Sequence, residues 1–388
     1  MTVKGKSSIS KNGMPQRVDD LERIAFLELM LLSTVPMALK AAALLDVPQI
    51  LYKAGEGALL SAKEIADCFP LQNPANANYL ERILRLLASC NVFTELVIEA
   101  EGKMERRYGL TPICKYFLKD RKGGSLAPYL LLRHDNLMFQ SMHHLHDVVL
   151  EGREPFTQAH GESLFEFLEG HPNENTLFNT AMSNLSQIYL SAVLDNYTGF
   201  KGVKRLVDVG GGTGSALSMI VAKYPSIQGI NFDLPHVVVD APFYPGVDHV
   251  GGNMFESIPS SDAIYMKNIL HNWSDESCQK ILRNCYDALE DNGKVILVEF
   301  LLPAPDECRQ KARIALSFDV IMMAQFLGRE RTEREYHSLF KAAGFSDCHA
   351  VLFVDCMAVL EAHKSKVPAA SMLITPNGCC LHDNADLF

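Results

Sequence analysis

Apolar positions recur at helical spacing through the first ninety residues and at strand spacing further on. From Asp19 onward, Leu21, Ile24, Ala25, Leu27, Leu31 and Leu32 keep a helical period that Glu28 interrupts. Met37 to Leu45 is apolar on nearly every side, which predicts a second helix buried on several faces. Ser61 and Glu64 have capping-box spacing and open a third helix, and Asn78 to Leu87 gives a fourth. Val92–Val97 and Arg107–Thr111 flank a polar turn around Gly102 and predict a hairpin. Residues 112–200 are rich in Leu, Phe, Met and His and are expected to be helical with loops between. From Val203 the pattern changes. Arg205–Val209, Ile227–Phe232, Ala263–Met266 and Lys294–Glu299 read as strands, separated by helices such as Cys278–Leu289. Alternation of this kind predicts an α/β fold, a doubly wound sheet with helices on both faces.

The expected organisation is therefore a disordered start (1–17), a mostly helical, winged-helix-like domain (18–120), a helical linking segment (121–200), an α/β domain (201–363) and a loosely held extension (364–388) carrying Pro368, Pro376 and Gly378. Tyr197–Gly202 reads as the linker between domains. Helices followed by a hairpin outline a winged helix, a shape that often binds DNA. Here the helix before the hairpin carries only Arg82 and Arg85 as bases, with Glu81 beside them. The net charge of −10 gives the chain no electrostatic attraction to phosphate backbones or anionic lipid. A dimerisation surface accounts better for the many leucines. No apolar run reaches the ~20 residues of a membrane span, and the first twenty residues lack a secretory signal. Of ten cysteines only Cys379 and Cys380 lie close together, and no pair has metal-ligand spacing. Cys278 and Cys285 are expected in the core, and the compartment is expected to be reducing and cytoplasmic.

The chemistry concentrates in the α/β part. The strand Leu206–Val209 runs into Gly210-Gly211-Gly212-Thr213-Gly214, followed by a helix. Such a turn lets a ligand approach the backbone and aims amide hydrogens at it. Asp233, nineteen residues past Gly214, ends the next strand, where a carboxylate would accept from ribose hydroxyls. A dinucleotide fingerprint wants glycine at its sixth position, which is Ser215 here, so the spacing suits a ligand without a pyrophosphate. His271 follows the strand Ala263–Met266 by a short loop, and Ser274 looks like the N-cap of the helix after it. Glu299 ends the next strand. Ligands of open α/β sheets bind at this edge, so glycine loop, histidine and carboxylate are expected in one crevice. An imidazole there can take a phenolic proton, and a carboxylate beside it fixes its tautomer. No metal is then required. The other histidines considered, His134, His143, His144, His146 and His160, lack such a position.

At these residues the sequence resembles the plant S-adenosylmethionine-dependent phenolic O-methyltransferases of the caffeic acid and flavonoid type. The resemblance runs from about residue 20 to 363. It is closest in Leu206–Gly214, Gly229–His236, Tyr244–Met254, Met266–Asp275 and Asp291–Pro303. It implies a Rossmann-like domain that binds S-adenosylmethionine, and an N-terminal domain that makes a homodimer. It also implies a role for each matching residue. Gly210 approaches the methionine part of the cofactor, Asp233 holds the ribose, and Leu234 packs on the adenine. Asn253 and Met254 bind the adenine, and Lys267 lies near the cofactor. His271 is the general base, bracketed by Glu299 and Glu330. The acceptor pocket falls to Leu132, Leu164, Leu168, Phe178, Met182, Leu185, Met322 and Phe326. Asn253 and Asn272 stand where the family has aspartates, and Leu168 and Leu185 where caffeate-type enzymes carry histidines. An apolar pocket of this kind implies a neutral, extended phenolic rather than a free acid. The residues leave open an amine acceptor on the same scaffold, and a non-catalytic dimeric binding protein, against which intact His271, Glu299 and Glu330 speak.

Overall fold

Among the described residues the N-terminal helices are α1 (Val18–Leu31), α2 (Thr34–Leu44), α3 (Val47–Lys53), α4 (Ala62–Ala66), α5 (Asn76–Ser89) and α6 (Ala127–Arg133). Three strands accompany them: β1 (Leu60–Ser61), β2 (Phe93–Ala100) and β3 (Lys103–Leu110). The structure, a computed structural model, describes residues 18–71, 73, 75–100, 103–119, 124–239, 241–303, 309–354 and 356–364. The stretch 1–17 and the tail from 365, with Cys379 and Cys380, lie outside these residues. The chain divides into two compact units, one ending at Asn136 and one beginning at Leu137.

In the first unit the capping box forms as its spacing predicts: Glu64 N–H donates to Ser61 Oγ (3.2 Å), and Ser61 N–H donates to Glu64 Oε2 (2.7 Å). Leu80, Leu84 and Leu87 of α5 are buried in a core with Ile65, Phe93 and Tyr108. The hairpin is longer than its apolar pattern suggested. Charged residues interrupt the apolar pattern of its outer half, and Arg106 pairs with Glu95 (3.1 Å) and Glu81 (3.3 Å). The second helix departs from expectation. Only Ala42 of α2 is buried, while Met37 and Leu44 are exposed. On α1, Phe26, Leu29, Met30 and Leu31 are exposed too. Among the described residues these side chains of α1 and α2 therefore lack cover, the mark of an association surface. No single described helix is long and apolar enough to cross a membrane; α1 and α2 pass that test only as a pair bent by 42°.

The second unit begins with short helices α7 (Asn136–Met142), α8 (Leu145–Glu151), α9 (Pro155–His160) and α10 (Leu164–Gly170), and the long α11 (Pro172–Asn196). Then come β4 (Arg205–Val209), α12 (Ser215–Lys223), β5 (Gln228–Asp233), α13 (Pro235–Val238), β6 (Val247–Gly251) and β7 (Ser261–Lys267). The chain continues through α14 (Asp275–Ala288), β8 (Leu289–Phe300), α15 (Arg309–Phe326), α16 (Glu333–Ala342), β9 (Asp347–Val354) and β10 (Met357–His363). The strands form one sheet ordered β6-β5-β4-β7-β8-β10-β9. β4 to β8 run parallel, and β10 is antiparallel to both its neighbours. Strand order reverses beside β4, so the crevice at the carboxyl ends of β4 and β7 is the switch point where such sheets bind ligands. Cys278 and Cys285 are buried in the core on one face, as expected. The reading of 197–202 as a linker does not hold. Tyr197, Phe200 and Val203 are buried in the core on the other face, and the Tyr197 hydroxyl bonds Glu361. Glycines at 199 and 202 imitated a linker, but Phe200 between them and Tyr197 before them pack.

Candidate active site

β4 ends in a loop where Gly210, Gly212 and Gly214 take left-handed backbone angles (φ 71°, 58° and 80°) that favour glycine. A side chain at Gly210 would collide with Ile269, so the close packing of loop on loop also demands glycine there. At the end of β5, Asp233 Oδ2 accepts from Gly212 N–H and Oδ1 from Leu234 N–H, both at 2.7 Å. The carboxylate thus fixes the glycine loop and keeps lone pairs for a ligand. Asn231, wholly buried, donates to Gly212 O (2.8 Å) from the same strand.

These groups open on a cavity of about 410 Å³. Its wall includes Asp208, Gly210, Gly211, Gly212, Asp233, Leu234, Asn253, Met254 and Lys267. The opposite wall is Phe165 and Leu168 of α10, with Asn175, Phe178, Asn179, Met182, Ser183 and Ser186 of α11. The α11 positions follow one helical face, and none of this wall is charged. Phe165 meets Phe178 edge to face (6.4 Å between centroids) and lies near Phe326 (5.3 Å) and Trp273 (6.3 Å).

The loop after β7 holds His271. Asn268 takes a left-handed angle (φ 57°), which asparagine tolerates, and turns the chain into a single 3₁₀ turn, Leu270–Asn272. His271 sits on that turn, 5% exposed, between Ile269 and Asn272 of the cavity wall. Its Nδ1 lies 2.8 Å from Glu330 Oε1 and 3.6 Å from Glu299 Oε2. Glu299 Oε1 accepts from Ile269 N–H (2.9 Å) and Leu270 N–H (2.8 Å), so one carboxylate holds both the ring and its backbone. Burial alone would lower the imidazole pKa, but Glu299 and Glu330 outweigh it and hold it above its ordinary value. Burial pushes the Glu299 carboxyl up, against the opposing pull of His271. Lys267 is pushed down to about 8 by burial, with Glu299 and Asp208 resisting. Asp208 is pushed up to about 7 by burial, with Lys267 resisting. One of its oxygens, Oδ2, has no hydrogen-bond partner among the described residues. A free acceptor beside a glycine loop suits a cationic ligand, as do the two carboxylates that bound this end of the cavity.

Family profiles for an O-methyltransferase dimerisation domain and an O-methyltransferase domain match residues 27–120 and 142–346. Caffeic acid 3-O-methyltransferase of Prunus dulcis is 50% identical over 85% of this chain and 92% of its own length. O-methyltransferase 1 of Lophophora williamsii is also 50% identical, over 81% of this chain and 86% of its own. The chain belongs to the plant S-adenosylmethionine-dependent phenolic O-methyltransferase family. Among solved structures, CalO1, a methyltransferase in calicheamicin biosynthesis with SAH bound, superposes with a TM-score of 0.73 at 26% identity, over 89% of this chain and 99% of its own. Human N-acetylserotonin methyltransferase in complex with SAM superposes with a TM-score of 0.77 at 24% identity, over 91% and 100%, a likeness of fold.

In this methyltransferase the six residues expected at the cofactor all line the cavity. Asn253 spends its amide locally: its oxygen accepts from Phe255 N–H (3.0 Å) and its nitrogen donates to Glu256 (3.2 Å). Of the residues expected at the acceptor, Leu168, Phe178 and Met182 line the cavity. Leu164, Leu185 and Met322 are buried outside its wall, and Phe326 stands behind Phe165. Leu185 falls off the α11 face that the wall uses. Leu132 is buried in the first unit, on α6. Sequence reasoning missed Asp208, Asn231 and Arg331. An acid inside the apolar run Leu206–Val209 was a readable signal for Asp208. Arg331 gave none, because it stands in a charged stretch that looks solvated.

Proposed function

We propose that His271 is the general base of this methyltransferase, and that its acceptors are neutral, extended phenolics such as phenylpropanoid alcohols or aldehydes, stilbenes or flavonoids. The observation that carries the first claim is the 2.8 Å contact between His271 Nδ1 and Glu330. It makes Nδ1–H the donor, which leaves Nε2 unprotonated and basic. S-adenosylmethionine supplies an electrophilic methyl on a sulfonium. The chain's residues manage the proton: Nε2 takes it from the phenol as the oxygen bonds the methyl carbon and the carbon–sulfur bond breaks. Glu330 and Glu299 then stabilise the imidazolium.

The acceptor claim rests on the uncharged α10–α11 wall, with Leu168 and Met182 in it. A carboxylate facing Leu168, Phe178 and Met182 would lose hydration without gaining a partner there, whereas a neutral ring gains ~25 cal/mol per Å² buried. The imidazole nitrogen and two carboxylates are close enough to ligate a cation, within 4.8 Å of one another. The reading favoured is a hydrogen-bonded base, because a metal at that position would occupy the nitrogen contact that orients the ring. Function as a homodimer in the cytoplasm completes the proposal. The test is a rate comparison of caffeic acid, caffeoyl alcohol, a stilbene and a flavonoid with labelled S-adenosylmethionine, with and without EDTA. Neutral acceptors are expected to lead, unaffected by EDTA. Free caffeic acid ranking first, or activity lost to EDTA and restored by magnesium, would overturn the respective claim.

A further inference from the structure

The turn that carries His271 is held from behind by the segment 328–331. Arg331, the largest wholly buried side chain among the described residues, donates from Nη1 to Leu270 O (2.9 Å) and from Nη2 to Trp273 O (2.7 Å). Arg329 N–H donates to the carbonyl between them, His271 O (2.8 Å). The guanidinium is itself anchored on Asp275, at 3.0 Å from Nε and 2.8 Å from Nη2. Its neighbour in sequence, Glu330, supplies the carboxylate on His271 Nδ1. Glu299 takes amide hydrogens on the other side of the same turn.

We infer that Arg331 is a positioning residue for the methyl transfer, fixing the turn so that the imidazole stays in register with Glu330. The inference rests on His271 being the base. A planar guanidinium with fixed donors reaches two carbonyls and a carboxylate together; an ammonium of equal charge offers no such fork. If the turn shifts, the ring leaves both the acceptor oxygen and Glu330. Two consequences follow. Turnover falls on the order of 10²-fold, the scale of a 1 Å misplacement. The acid limb of the rate profile also moves toward lower pH, because the carboxylates no longer hold the imidazole pKa up against burial.

The experiment measures kcat, KM, cofactor affinity by calorimetry and the pH profile for Arg331→Lys and Asp275→Asn, with His271→Ala in parallel. Arg331→Lys is expected to lose kcat, keep cofactor affinity, shift the acid limb downward and recover in part with added methylguanidinium. Asp275→Asn, at a half-exposed anchor, is expected to show the same changes in smaller measure, and it decides the matter if the lysine variant does not fold. A folded Arg331→Lys enzyme with wild-type kcat and limb, or Asp275→Asn indistinguishable from wild type when the lysine variant fails, overturns the inference. If His271→Ala itself turns over normally, the base assignment falls instead.

Discussion

At the imidazole of His271, burial and two carboxylates act on the proton in opposite directions, and the carboxylates win. A base with a raised pKa is charged, and therefore idle, at the lower end of the physiological range. The rate is expected to climb with pH through a value above the ~6.5 of a free histidine. The linkage to stability runs the other way. The folded-state pKa is raised, so the stabilising pairing is fully present below ~6.5 and is lost as pH rises through the higher folded value. Glu330→Gln removes the nearer carboxylate. The acid limb is then expected to shift downward, because burial is less opposed, and kcat to fall with it. A pH–rate profile of the variant checks this, and an unmoved limb would show that Glu330 does not set the proton affinity of the base.

Among the elements, the strand ends were legible and the packing of loops on one another was not. Leu206–Val209, the glycines after it and Asp233 appear where their pattern placed them, because alternation and left-handed glycine turns are local properties. His271 and Glu299 could be brought together in advance, since His271 follows β7 by a short turn and Glu299 lies near the end of the adjacent parallel strand β8. Glu330 could not, as it comes from a loop 59 residues beyond His271 and only the resemblance supplied it. Leu185 lies outside the cavity wall for a related reason: spacing gives the face of α11 but not which face meets the cavity. The link from Asp233 to Gly212 predicts a measurable effect. Asp233→Ala loses the tie on the glycine loop and, on the reading that its carboxylate accepts from the ribose hydroxyls, bonds of ~1.5–3 kcal/mol for charge-assisted pairs. Calorimetry is expected to show cofactor binding weakened roughly 10- to 150-fold, with turnover at saturating cofactor much less changed. Unchanged affinity would place the ribose elsewhere.

For the whole molecule, the apolar face of α1 is a feature left uncovered among the described residues. Phe26 is 65% exposed and Leu29 67%, on a helix whose last five residues, 27–31, fall within the matched dimerisation domain. Burying two such side chains in a partner stabilises association by ~1.5–3 kcal/mol each. Phe26→Asp with Leu29→Asp is therefore expected to give monomers at concentrations where the wild type is a dimer, as read by light scattering. A dimeric double variant would move the interface away from α1.

The central claim is that one buried histidine takes the phenolic proton during methyl transfer. It is tested most directly by single-turnover transfer in His271→Ala with cofactor saturating and its binding measured separately. Loss of the general base is expected to slow the chemical step by ~10²–10⁴ with cofactor affinity unchanged. A variant that transfers the methyl group at close to the wild-type rate would contradict the account.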